Sequence, residues 1–89
     1  MIDLTPPTAP AVTGETPTRD TTPTWHWISS GVGNGNYRYR LDSGAWTKTR
    51  LRAFTPPMAL PEGRHTLYVQ EADVAGNWSV SGKKSIVID

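Results

Sequence analysis

The feature that most constrains this chain is the every-other-residue placement of its rings. In Thr24-Trp25-His26-Trp27-Ile28-Ser29 the two indoles share one parity and His26 takes the other. Over residues 36–41, Tyr37, Tyr39 and Leu41 share one parity, and Arg38 and Arg40 take the other. Leu67 alternates with Val69, with His65 at the same parity, and Ile86 alternates with Ile88. Successive side chains on a strand point to opposite faces, so each run predicts a strand with one core face and one wet face. Helical spacing is nearly absent. The Gly- and Pro-free stretch over residues 45–55 lacks the three-and-four spacing of an amphipathic helix.

The breaks between these runs carry turn chemistry. Ser30-Gly31-Val32-Gly33-Asn34-Gly35 separates the Trp run from the Tyr/Arg run, and its glycines admit positive φ. Asp42-Ser43-Gly44 predicts a tight turn, Pro61-Glu62-Gly63 opens the Leu67/Val69 strand, and Asp73-Val74-Ala75-Gly76-Asn77 closes it. Pro6, Pro7, Pro10, Pro17 and Pro23 suit an edge segment near the start, where no ladder N–H is demanded. About seven short strands at regular turn spacing predict a two-sheet antiparallel sandwich.

Size and composition narrow the functional classes. The chain has 89 residues, enough for one small domain with a thin core, and its four Trp and three Tyr supply most of the bulk. It has no cysteine, so no disulfide framework or thiolate metal site is available, and two histidines are too few for a His-built metal centre. A net charge of +1 gives no bulk attraction to nucleic acid or anionic membrane, and no apolar run is long enough to span a bilayer. Residues 1–10 read as a Pro-rich linker or first edge segment and residues 11–89 as the single domain. Ile-Asp occurs at residues 2–3 and again at 88–89, the mark expected of one unit of a tandem array.

Candidate sites are few. Arg38 and Arg40 alternate on one run, and Lys48, Arg50 and Arg52 alternate on the next. Were the two to pair, five cations would share one sheet face, fit for an anionic glycan, a headgroup or an acidic partner; the plainer reading is a solvated outer face. Trp25, Trp27, Tyr37, Tyr39 and Trp46 could form a sugar platform, but their shared parity favours core packing, with Trp78 partly exposed at one end. Parity also turns Glu71 inward, where it needs a hydrogen-bonding partner, unless a bulge after Val69 turns it out. The Gly loop lacks the Lys-Ser/Thr of a phosphate loop, and Asn77-Trp78-Ser79 fits an N-glycosylation sequon. No nucleophile elbow and no buried general acid stand out, so the chain reads as not an enzyme.

In their order, several motifs resemble the bacterial immunoglobulin-like repeat domains of large secreted and cell-surface proteins, adhesins above all. They are Thr5-Pro6-Pro7-Thr8-Ala9-Pro10, Thr22-Pro23-Thr24-Trp25, Tyr39-Arg40-Leu41-Asp42-Ser43-Gly44-Ala45-Trp46-Thr47, Leu60-Pro61-Glu62-Gly63-Arg64-His65-Thr66-Leu67-Tyr68-Val69 and Asp73-Val74-Ala75-Gly76-Asn77-Trp78-Ser79. The resemblance implies an immunoglobulin-like antiparallel β-sandwich serving as an extracellular spacer, with neighbouring repeats and host or matrix glycans or proteins as partners. It implies no nucleic acid, no membrane insertion and a monomer when isolated. It further implies that Ca²⁺ could be held at a domain joint by Asp3, Asp73, Asn77 and Asp89, no other cofactor being expected. The rival is a carbohydrate- or surface-ligand-binding module. The expected core is Trp25, Trp27, Tyr37, Tyr39, Leu41, Trp46, Leu67, Val69, Ile86 and Ile88.

Overall fold

The computed structural model describes residues 8–29, 31 and 34–89. Among these the protein is all-β, with seven strands and no helix: β1 (Ala11–Thr13), β2 (Trp25–Ile28), β3 (Asn36–Leu41), β4 (Thr47–Thr49), β5 (Ala53–Phe54), β6 (Gly63–Ala72) and β7 (Gly82–Ile88). They form two antiparallel sheets, one in the order β1-β2-β5 and the other β4-β3-β6-β7. The first, second and fifth strands pack against the third, sixth and seventh across one core, with the fourth at the edge, which is the arrangement of a two-sheet antiparallel β-sandwich.

The alternation of rings is the inter-sheet lining. Trp25 and Trp27 are buried while His26 and Ile28 between them face out. Tyr37 on β3, Leu67 and Val69 on β6, and Ile86 on β7 complete the buried cluster, with Tyr39 and Leu41 packed against it. Rings meet across the layers: Trp27 and Tyr37 edge to face at 6.0 Å, Tyr39 and Phe54 at 4.7 Å. The Trp25 indole N–H donates to the Lys84 carbonyl at 3.0 Å, whereas the buried Trp27 indole N–H has no hydrogen-bond partner among the described residues. Val12, Phe54 and Leu60 also pack on the core. Trp46 does not: its ring lies on the opposite side of the four-stranded sheet, against two arginines.

Beyond β1 the chain crosses to the other sheet. Thr18 bridges Ile88 in parallel, its N–H donating to the Val87 carbonyl at 2.9 Å and its carbonyl accepting from the Asp89 N–H at 2.8 Å. The Thr16 hydroxyl accepts from the Val87 N–H. This segment covers the free edge of β7, and Pro17 sits where a missing donor does no harm. At the other end of β7, Gly82 lies so close to Pro10 that a Cβ would run into the Pro10 carbonyl oxygen. The approach of β1 to β7 needs a glycine there.

Register defines two poles. Gly82 pairs with Val69, Asn36 with Ala72 and Ala11 with Ile28, placing Pro10, Ser29, Asn34 and the turn after β6 at a proximal pole. Gly63 pairs with Ile88, and Leu41 with Leu67, placing the Asp42 turn, the Pro61–Gly63 turn and Asp89 at the distal pole.

Candidate functional site

The outer face of the four-stranded sheet holds a ladder of rings and guanidiniums. Register sets Arg38 opposite Lys48 on one side and Gln70 on the other, and Arg40 opposite Tyr68. The Arg38 guanidinium lies 4.4 Å from the Trp78 ring centre and 5.0 Å from that of Trp46. Arg40 lies 5.1 Å from both Trp46 and Tyr68. The order is therefore Trp78, Arg38, Trp46, Arg40, Tyr68, each cation facing the electron-rich faces of two rings. Arg38 Nε also donates to Gln70 Oε1 at 2.6 Å, whereas Arg40 Nε has no hydrogen-bond partner among the described residues.

The five cations of the alternating runs do not share one face. Arg38, Arg40 and Lys48 do. Arg50 lies just past the end of β4 at the proximal pole. Arg52 has passed toward the three-stranded sheet, its carbonyl accepting from the Trp27 N–H at 3.0 Å. An open groove of about 460 Å³ runs between β4 and the turn after β6, lined by Asn34, Asn36, Lys48, Arg50, Asp73 and Trp78 among others. It offers two cations, two amides, two rings and one carboxylate.

Glu71 faces inward, without a bulge, on an unbroken β6, and is fully buried. Its partner is a hydroxyl rather than an Arg or Trp: Ser29 Oγ donates to the carboxylate, lying 2.9 Å from each oxygen. The Gly35 N–H adds a longer contact at 3.4 Å, and Ser79 Oγ accepts from the Glu71 N–H. Opposite it in register stands Tyr37, whose phenol is held above its ordinary pKa by burial and then by the neighbouring carboxylate. Glu71 therefore ties the start of the Gly loop to the end of β6. Nothing in a local sequence window pairs residue 29 with residue 71.

Asp73 and Asn77 close a turn upon themselves. Asp73 Oδ1 accepts from the N–H groups of Ala75 and Asn77, both at 2.9 Å, and Oδ2 accepts from Asn77 Nδ2 at 3.2 Å. These bonds, the Asn77 N–H first, hold the Asp73 carboxyl below the usual carboxylate range. Gly76 takes positive φ in the same turn. Asp89 lies at the opposite pole, so a single copy cannot bring it to Asp73, and Asp3 lies outside the described residues. Among the described residues no three His, Cys, Asp or Glu side chains gather as a metal group. A site that joined Asp89 to Asp73 would need side chains from two copies.

At the distal pole, His65 is buried against Asp42: Nδ1 lies 2.9 Å from Asp42 Oδ2 and Nε2 lies 2.8 Å from the Pro61 carbonyl. Asp42, at a φ of 54°, also accepts from the Thr66 N–H, and the left-handed region it occupies is one that Asn and Asp tolerate better than most side-chain-bearing residues. The bond to Asp42, with help from Pro61, raises the His65 pKa. Both ring nitrogens are engaged in holding turns together. The ladder at Trp46 and Trp78 was not foreseen from sequence; the usable signal was the outward parity of Arg38 and Arg40 across from the equally outward Tyr68. No family model matches this chain, and no curated protein matches it in sequence.

Proposed function

We propose that this chain is a structural repeat: an immunoglobulin-like spacer unit of a bacterial cell-surface or secreted multidomain protein, holding another domain away from its anchor. One observation carries the reading. The chain comes in through Pro10 at the proximal pole and leaves through Asp89 at the distal pole. Copies joined end to end would therefore run as a line of blocks rather than fold back on one another. Each block is stiffened by the two-layer core, and the Pro-rich lead-in limits bending at the joint. The resemblance of the ordered motifs supports the same reading.

Two copies joined in one chain test it by small-angle scattering. A ten-residue strand such as β6 spans about 33 Å at about 3.3 Å per residue. The maximum dimension should grow by at least that length; a compact side-by-side pair would overturn the spacer reading.

A second reading is favoured by the groove beside Trp78. Its mixture of rings, two amides and two cations, against the single Asp73 carboxylate already bonded within its own turn, suits an acidic saccharide, which would make the unit a ligand-binding module. A glycan array followed by isothermal titration separates the two. A spacer gives silence across acidic and neutral sugars, whereas saturable binding abolished by Trp78→Ala would install the second reading.

A further inference from the structure

The charges of this molecule are sorted by pole. Lys48, Arg50 and Arg52 are exposed at or next to the proximal pole, with Arg38 behind them. The carboxylates at this pole among the described residues, Glu71 and Asp73, are both buried and hydrogen-bonded within their own turn and loop. The proximal pole thus presents cations uncompensated by any exposed acid among the described residues. The distal pole presents the reverse: Glu15, Asp20, Asp42, Glu62 and Asp89 are all exposed there, against Arg19 and Arg64. A net charge of only +1 conceals this separation.

Exposed apolar side chains follow the same axis. Ile28, Leu51, Val74 and Val80 lie at or near the proximal pole, and Val74 at the tip of its turn is 92% exposed. Met58, 76% exposed, lies toward the distal pole, where the Leu60 N–H donates to the Thr21 carbonyl. Val74 at its turn tip lines the same groove as Lys48 and Arg50, and an exposed apolar side chain beside cations is the composition of a contact surface rather than of a solvated loop.

We infer that the proximal pole is a docking surface for the distal pole of a second copy of this chain, cations and apolar side chains of one meeting acids and Met58 of the other. The inference rests on the end-to-end reading above in naming what each pole meets. Such a contact is heterologous: each copy still offers one free pole of each kind, so association runs on into open chains rather than closing as a dimer. The pole of a small sandwich is below the area of a stable interface, so the contact is transient and depends on complementary fields. An isolated unit is then a monomer when dilute and associates when concentrated.

The test uses the 89-residue chain itself. Sedimentation velocity up to about 1 mM should show concentration-dependent association at about 20 mM salt that weakens roughly tenfold or more by about 500 mM, where the screening length falls to a few ångströms. Two charge-reversed variants decide the geometry. Lys48→Glu, Arg50→Glu and Arg52→Glu together make both poles acidic; Glu15→Lys, Glu62→Lys and Asp89→Lys together make both basic. Neither should self-associate, and their mixture should. Amide spectra of the unmodified chain give a reading that depends on no variant: shifts should move with concentration at residues 50–52 and 74–76 and at 15, 62 and 89 together. A monomer throughout at low salt, association unaffected by either reversal, or a mixture that stays monomeric while the unmodified chain associates would each overturn the inference. None of these outcomes bears on the length of the two-copy chain, so the spacer reading stands or falls separately.

Discussion

The Ser29 hydroxyl lies 2.9 Å from both carboxylate oxygens of Glu71, 42 residues further along the chain, and also accepts the Gly31 N–H at 3.0 Å. One hydroxyl thus satisfies a buried carboxylate and begins the Gly loop. Ser29→Ala removes the two shortest hydrogen-bond contacts of the Glu71 carboxylate, and should cost about 1–3 kcal/mol in urea unfolding, the usual range for stranding a buried acceptor. Glu71→Gln keeps the shape and removes the charge, so the two changes combined should cost less than their sum. Strict additivity would show that the pair is not coupled.

Stability should fall on the alkaline side through His65. Its folded-state pKa is raised, first by Asp42, so the folded state holds the proton more tightly than the unfolded chain, whose histidine titrates at about 6.5. The stabilisation is complete below that value and is lost as pH rises through the higher folded-state pKa. Asp42→Asn keeps the left-handed turn and an acceptor for Thr66, and should flatten this slope; urea midpoints from about pH 5.5 to about 8.5 read it.

Asp73 acts with the opposite sign. Its folded-state pKa is lowered, so its contribution is present above the ordinary carboxylate pKa and is lost as pH falls through the lowered one. Asp73→Asn should remove that part of the acid-side decline in the midpoint while leaving the His65 slope intact.

Gly82→Ala forces a methyl toward the Pro10 carbonyl, a backbone atom that cannot swing aside. It should destabilise by about 1–3 kcal/mol as an overpacked contact. Gly76→Ala, at positive φ but in open space, should cost only the local backbone strain of about 1 kcal/mol. Equal losses in thermal melts would count against the close approach of β1 to β7.

Trp46→Ala removes the ring shared by Arg38 and Arg40. With each exposed cation–π contact worth about 0.5–1 kcal/mol, the loss should be about 1–2 kcal/mol, and a cycle with Arg38→Ala should show coupling. Were Trp46 a core residue, the loss would reach the larger values of buried Trp truncations, about 3–5 kcal/mol.

The residues themselves determined the layers of this protein. Alternation put Trp25, Trp27, Tyr37, Leu67, Val69, Ile86 and Ile88 inward, because the side-chain period of a strand is two and needs no knowledge of its neighbours. The same parity turned Glu71 inward, though not toward Ser29. What tertiary structure alone decided was every relation between strands distant in the chain. Trp46 lies in the short link between β3 and β4, where no alternating run assigns it a face, and only the sheet's geometry seats it under Arg38 and Arg40. Arg52 left the cationic face because the chain crosses to the other sheet after β4, which no count of alternating residues registers. The segregation of exposed carboxylates to one pole and exposed cations to the other, among the described residues, is likewise invisible in a sequence where both signs are interspersed. It exists only once the antiparallel register folds residues 15, 42, 62 and 89 to one end, because strands that reverse direction sort residues by their place along the sheet and not by their order in the chain.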